Sequence, residues 1–376
     1  LRSYVSSGMS PYDHDDLTDP DDVRILSRTS IKQYLLASEN SFRLYTKMMF
    51  VHILVSQLRG DKARKKNARE DVWRAQRNEI FRLSTLQSGS DARVLRSLAY
   101  KHLLIAEKMT RVRGVFSPSV TASDFDMDTL KEYLCQLDKI NVYIHPLGGK
   151  VFELDVFSAY RNYCDLSLPS SSGLFIDHFI NSEELDIFID KGVLPDAPVF
   201  SSQVYQDLSI DKSRIEVQLR ANGLFGSFQQ PLQLKKQYTV RNEGIQVQYI
   251  LKNESPLALS GFFMTELDLS FSRNRHKQTL MTVYAQETRQ DGPVVKSAYK
   301  DIEWMQISDN GSGVKFTFEA NETPSVAILP VLCPDDSNQG DDASVTSEGA
   351  RLFFYWKIEL AANYEMEKTI FFKIDS

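Results

Sequence analysis

The feature that most constrains this chain is a change of hydrophobic period near residue 124. Upstream, apolar side chains recur at steps of three and four; downstream they recur at every second position. The first period lines one face of a helix and the second one face of a strand. The chain switches once and does not switch back, so strands and helices do not alternate and a parallel α/β sheet is excluded. The pattern predicts an α+β, multi-domain fold: an N-terminal helical bundle followed by a large antiparallel β-sandwich. With 376 residues, each part is long enough to bury a core of its own.

Three helical stripes can be read. Leu44, Met48, Val51, Val55 and Leu58 form the first, and Val72, Trp73, Gln76, Ile80 and Leu83 the second. Ser90 is placed to cap a third helix, with Leu95, Leu98, Ala99, His102, Leu103, Ala106 and Met109 on its buried side. Gly89 and Gly114 stand where helices should stop. Beyond the switch, 141–144 and 151–154 read as strands around Pro146-Leu147-Gly148-Gly149. Further strands are expected at 214–220, 233–240, 245–252, 260–271, 302–308, 313–319, 325–331, 351–360 and 367–374, with Gly, Asn and Pro between them. The expected boundaries are a polar segment at 1–29, a helical domain at 30–115 and the sandwich at 124–376. An Asp-, Ser- and Gly-rich loop is expected at 334–349.

Composition removes several function classes. The formal net charge is −6, which disfavours nucleic acid and anionic membrane surfaces. The basic run Arg59, Lys62, Arg64, Lys65, Lys66 and Arg69 meets Glu70 and Asp71 at once and has no interleaved aromatic residue, so it reads as a solvated helix start. The longest apolar run, Met48 to Val55, is too short to span a bilayer. Cys135, Cys164 and Cys333 are far apart and lack zinc-type spacing, which fits a reducing, cytoplasmic compartment. A start at Leu1 reads as a fragment or a processed product.

Several groupings could carry chemistry. Glu153 and Asp155 stand at i and i+2 of a strand, as do Glu266 and Asp268, so each pair faces one side. A glycosidase needs two such carboxyls, and the polar face of any sandwich strand alternates in the same way. Asp177-His178 is a possible acid–base pair or a structural one. Asp124-x-Asp126-x-Asp128 with Glu132 has the look of a calcium loop, but Thr129 stands where such a loop has Gly and Glu132 comes three residues too early. No metal ligands are assigned on that spacing, and no cofactor is expected. Trp73, Trp304 and Trp356 could stack on sugar rings, although Trp304 and Trp356 sit in strand alternation that suits a core.

Three stretches together carry a family likeness: Asp71 to Phe81 followed by Leu95-Arg96 and Ala106-Glu107; Asp124 to Asp128 with Gly148-Gly149, Phe152 to Asp155 and Phe175 to Phe179; and Leu234-Lys235-Lys236-Gln237-Tyr238, Thr265 to Ser270 and Tyr355 to Ile358. In order and spacing they resemble the C-terminal, non-barrel portion of 4-α-glucanotransferases and α-amylases of glycoside hydrolase family 57. Arg77 stands for the family's Cys and Glu79 for its Asp; Arg82-Leu83-Ser84 replaces a Trp-His-Gly run, and Pro169-Ser170 replaces a double Arg. The resemblance implies a galactose-mutarotase-like sandwich and a helix bordering a glucan cleft. It also implies a catalytic barrel preceding the chain, which would hold the nucleophile and acid. On that footing no catalytic residue is expected here. The candidate contacts to an α-glucan or maltooligosaccharide are Trp73, Gln76, Asn78 and Glu79 on the helix, with Glu153, Asp155, Asp177, His178, Glu266 and Asp268 on the sandwich. The other reading is a scaffold or interaction module that no longer binds sugar.

Overall fold

A computed structural model describes residues 35, 39–77, 79–81, 90–112, 114–166, 168, 172–194, 199–272, 279–334 and 345–376. The predicted tail at 1–29, most of the 334–349 loop, Asn78, Arg82-Leu83-Ser84, Gly89 and Pro169-Ser170 lie outside the described residues. In chain order the helices are α1 (Glu39–Gln57), α2 (Lys62–Ala75), α3 (Ser90–Thr110) and α4 (Ser182–Lys191). The strands are β1 (Ser119–Ser123), β2 (Glu132–Gln136), β3 (Ile140–His145), β4 (Lys150–Val156), β5 (Arg161–Asn162), β6 (Leu174–Ile180), β7 (Gln206–Asp211), β8 (Glu216–Phe225), β9 (Gln230–Arg241) and β10 (Gly244–Asn253). They continue with β11 (Leu259–Ser270), β12 (Leu280–Ala285), β13 (Thr288–Pro293), β14 (Ser297–Tyr299), β15 (Ile302–Asp309), β16 (Val314–Ala320), β17 (Ser325–Pro334), β18 (Val345–Leu360) and β19 (Glu365–Asp375). No helix among the described residues is long and apolar enough to cross a membrane.

The chain divides into two compact units, and neither is one continuous segment. The first comprises Leu1–Phe116, Tyr160–Ser171 and Cys333–Thr346; the second comprises Ser117–Ala159, Ser172–Leu332 and Ser347–Ser376.

In the first unit, Leu44, Met48, Val51 and Val55 of α1 bury against Ala68, Val72 and Ala75 of α2 and Ala99, Leu103 and Ala106 of α3. The α1–α2 corner is capped from both sides. The Asp61 carboxylate accepts from the Arg64 N–H at 2.9 Å. The Lys65 ammonium donates to the carbonyls of Ser56, in the last turn of α1, and of Leu58, just past its end. Much of the basic run is thus spent on helix termini and solvent. Two stripes need correction. Trp73 is 58 % exposed and Leu98 is 40 % exposed. Trp73 is rotated by about 100° from buried Val72, which carries it off the apolar face; Gln76 is the C-cap of α2, past its last turn, and is also exposed. Charge replaces apolar side chains elsewhere in the unit: Arg96 is buried in an ion pair with Asp165 at 2.9 Å, and Lys47 is buried against Glu107 at 3.0 Å.

The second unit is a two-sheet antiparallel sandwich. One sheet runs β1-β2-β3-β4-β6-β11-β18-β17-β14 and the other β13-β12-β15-β16-β19-β10-β9-β8-β7. Every strand expected from the period of two is present. Strands of the second sheet, such as β9 and β15, bury alternate residues, whereas β3, β4 and β6 are buried at every position. A strand covered on both faces loses its alternation; β6 is accordingly not marked by the period of two, while β3 and β4 are marked by the Pro146-Leu147-Gly148-Gly149 turn between them. Phe175, Tyr238, Phe316, Phe318 and Phe372 form an aromatic chain in the interior. The expectation of a sandwich without intervening helices is corrected by α4. Its Leu185 and Phe188 pack on Ile180, Met264, Ala327 and Phe353 of the first sheet.

Candidate functional site

Strands β6, β11 and β18 are neighbours, with His178 opposite Met264 and Arg351 opposite Asp268. This register gathers His178, Glu266, Asp268 and Arg351. The His178 Nε2 lies 2.9 Å from one Glu266 oxygen. Arg351 donates through Nε at 3.0 Å to the other Glu266 oxygen, and its Nη2 donates to that same atom. Its Nε also lies 3.3 Å from Asp268, whose second oxygen accepts from the Gly173 N–H at 3.2 Å.

The environment separates the two carboxyls. Burial works to raise Glu266, but the His178 hydrogen bond and the Arg351 charge outweigh it and hold the group at about 2. Burial and the adjacent Glu266 charge push Asp268 well up. Such a split is what an acid–base pair needs. Here, however, the side chains of Glu266 and Asp268 are only 4 % and 1 % exposed, and Arg351, at 21 %, is the member that meets solvent. The cluster holds charge in place, and both carboxyls are shielded from solvent.

Asp177 belongs to a different group. Its carboxylate pairs with the Lys236 ammonium at 2.7 Å and accepts from the Tyr205 hydroxyl at 3.2 Å. Lys236 also donates to the Phe175 carbonyl. Tyr238 and Tyr249 lie beside the ammonium. All of these are essentially inaccessible. Burial pushes Asp177 up and Lys236 down. Adjacent in sequence, Asp177 and His178 therefore serve two separate networks.

Glu153 and Asp155 on β4 are buried, and Asp155 accepts from the Asn141 amide at 2.8 Å. Trp356 is also in the core, stacked on Phe263, with its indole N–H donating to the Glu322 carbonyl. Trp304 stacks on Tyr284 across the β12–β15 pair. In the first unit, Trp73 is exposed, the Gln76 amide donates to the Met48 sulfur at 3.2 Å, and exposed Glu79 lies 3.6 Å from Arg77. Since α2 ends at Ala75 and Glu79 lies in a separate turn, Trp73, Gln76 and Glu79 do not lie on one continuous helix.

Arg351 and Lys236 escaped the sequence reading. Lys236 had a signal: it has the inward parity of Leu234 and Tyr238 in a period-two strand, where a lone Lys demands a buried partner. Arg351 had none, because only the β11–β18 register puts it beside Asp268.

A second convergence involves Asp126, Asp128, Glu132 and His145, whose ligand-type atoms all lie within 4.8 Å of one another. Asp126 and Asp128 come from the β1–β2 loop. Glu132 opens β2 and His145 closes β3, one step beyond the Tyr133–Ile144 pair. Asp124, part of the calcium-like spacing, is not a member.

Fold and geometry together define a two-sheet antiparallel sandwich whose conspicuous carboxyls are locked in internal networks, carried with a helical unit. Residues 171–370 match the family described as the C-terminal domain of alpha-amylase/4-alpha-glucanotransferase, and the chain belongs to that family. Among solved structures, it is similar to a 4-alpha-glucanotransferase from Thermococcus litoralis, at 19 % identity over 95 % of this chain and 52 % of that one, with a TM-score of 0.69. This chain therefore spans about half of that protein's length. A galactose mutarotase-like protein from Lactobacillus casei aligns at 9 % identity over 65 % of this chain and all of its own, with a TM-score of 0.49. A putative aldose 1-epimerase from Escherichia coli aligns at 10 % identity over 65 % of this chain and 98 % of its own, with a TM-score of 0.48. No curated protein matches the sequence.

Proposed function

We propose that this chain is the C-terminal, non-barrel part of an α-glucan-acting protein of the glycoside hydrolase family 57 type, and that it performs no glycosyl chemistry by itself. The observation that carries this reading is burial. Glu153, Asp155, Asp177, Glu266 and Asp268 are each at most 3 % exposed. Glycoside cleavage needs two carboxyls that reach the scissile bond. Their role is to fix the sandwich that supports a catalytic barrel supplied elsewhere in the protein. Incubation with maltooligosaccharides should give no new chain lengths; turnover lost on Glu266→Gln would overturn the reading.

Direct glucan contact, where present, belongs to the first unit. Trp73 offers an exposed aromatic face, and Glu79 is open to sugar hydroxyls. Against a retained cleft stand the Gln76 amide, already turned to Met48, and Arg77 in place of a Cys. These favour weak binding or the scaffold alternative. Titration with maltoheptaose, followed by NMR, separates the two: shifts around 73–81 support residual binding, and their absence supports the scaffold.

A further inference from the structure

We propose that Asp126, Asp128 and Glu132 hold a divalent cation of the calcium class, beside His145. The three carboxylates are oriented alike. In each, one oxygen is fixed by a backbone N–H: Asp126 Oδ1 by Asp128, Asp128 Oδ1 by Leu130, and Glu132 Oε2 by Phe125. The other oxygen of each then turns to a common centre, at 3.4, 3.3 and 3.6 Å from the His145 Nε2. Around a calcium ion with Ca–O of about 2.4 Å, neighbouring ligands lie about 3.4 Å apart and opposite ones about 4.8 Å apart. The ligand-type atoms of the cluster all lie within that outer limit, at most 4.8 Å from one another.

Glu132 is the most deeply buried of the three carboxylates. Its side chain is fully buried, and Oε1, the oxygen aimed at the centre, accepts no hydrogen bond. The His145 Nε2–H lies 3.6 Å from that oxygen and compensates a buried carboxylate only in part, and a cation among the three oxygens supplies the rest.

The His145 tautomer selects the class of ion. Its Nδ1 accepts from the Leu147 N–H at 2.9 Å, so the neutral ring carries its proton on Nε2 and shows no lone pair to the centre. Its distances to the carboxylates exceed the roughly 2.7–2.9 Å of a charge-assisted N–H···O bond. The ring therefore borders the site without filling it. An oxygen-only donor set favours calcium over zinc.

The test uses the full chain stripped with a chelator and then titrated with calcium chloride, by calorimetry and by thermal unfolding. The expected result is one ion per chain, a calcium-dependent rise in melting temperature, and loss of both in Glu132→Gln. Asp128→Asn, at a more exposed position, should weaken binding at least tenfold and serves if Glu132→Gln does not fold. His145→Gln should still bind calcium. No heat and no shift at millimolar calcium would show that the imidazole closes the cluster and would overturn the proposal. Stoichiometric zinc binding abolished by His145→Gln, with calcium inert, would overturn it as well.

Discussion

The two carboxylate clusters of the sandwich pair the same kinds of group and end differently. At β6, β11 and β18, Glu266 and Asp268 face the Arg351 guanidinium, and His178 satisfies the remaining Glu266 oxygen. At the β1–β2 loop, three carboxylates face one imidazole at distances too long for a good hydrogen bond, and Glu132 keeps a buried oxygen without a donor. The first network is chemically closed. The second is built on backbone N–H groups that aim oxygens at a point between them. Burying carboxylates is therefore not by itself a mark of function in this fold; what matters is whether the structure has already supplied the counter-charge.

The largest test of this contrast is to open the closed network. Arg351→Met should cost about 3–5 kcal/mol, the usual consequence of removing one partner of a buried pair, measured by urea unfolding. A loss under about 1 kcal/mol would show that Glu266 and Asp268 do not need the guanidinium. Next, calcium at a hundredfold excess over its dissociation constant should stabilise the chain by about 2.7 kcal/mol. That increment should survive in Arg351→Met and vanish in Glu132→Gln; the opposite pattern would assign the ion to the wrong cluster.

A smaller effect should appear in acid. Glu266 sits at about 2 in the fold against its ordinary 4.5. A depressed carboxyl stabilises above its unfolded value, and the gain is lost as pH falls toward the folded one. Between about pH 4.5 and 2, the wild type should lose stability faster than Glu266→Gln, by up to about 1.4 kcal/mol per pH unit. Parallel curves would contradict the Arg351–Glu266 account. The smallest effect is expected in the other unit. Trp73→Ala should change stability by no more than about 0.5 kcal/mol, as for most surface positions. Any maltoheptaose shifts around residues 73–81 should disappear with it.

How far the sequence could be read follows from these networks. The longer strands of the second sheet, such as β9 and β15, were legible because one of their faces meets water and preserves the period of two, whereas the strands toward its two ends, β7, β12 and β13, were not read. Of the strands buried on both faces, β3 and β4 were marked by the Pro146-Leu147-Gly148-Gly149 turn between them and β6 was not read, and α4 was passed over inside a strand-rich region. Its signals were present: Asn181 and Glu184 form a reciprocal capping box, and Gly192 ends the helix in the left-handed region. Trp73 was misplaced because hydrophobicity outweighed its angular position on α2. Of the candidate site, His178, Glu266 and Asp268 were named as separate pairs, and only strand order joins them. The acidic loop was noticed for its spacing, but its ligand-type partner His145 comes from β3, which no local pattern could supply.

The division of the chain into interleaved segments bears on how the protein is made. Arg96, almost wholly buried in the first unit, finds its carboxylate at Asp165, 69 residues later. At ribosomal rates of roughly 5–20 residues per second, that partner follows after about 3–14 s. During that interval the growing α1–α3 bundle lacks the Asp165 carboxylate, so this one contact closes only after β1 to β5 have been made. A product cut after Phe116 would stay in that incomplete state permanently. The helical unit is therefore a poor candidate for separate expression, even though most of its residues come first in the chain.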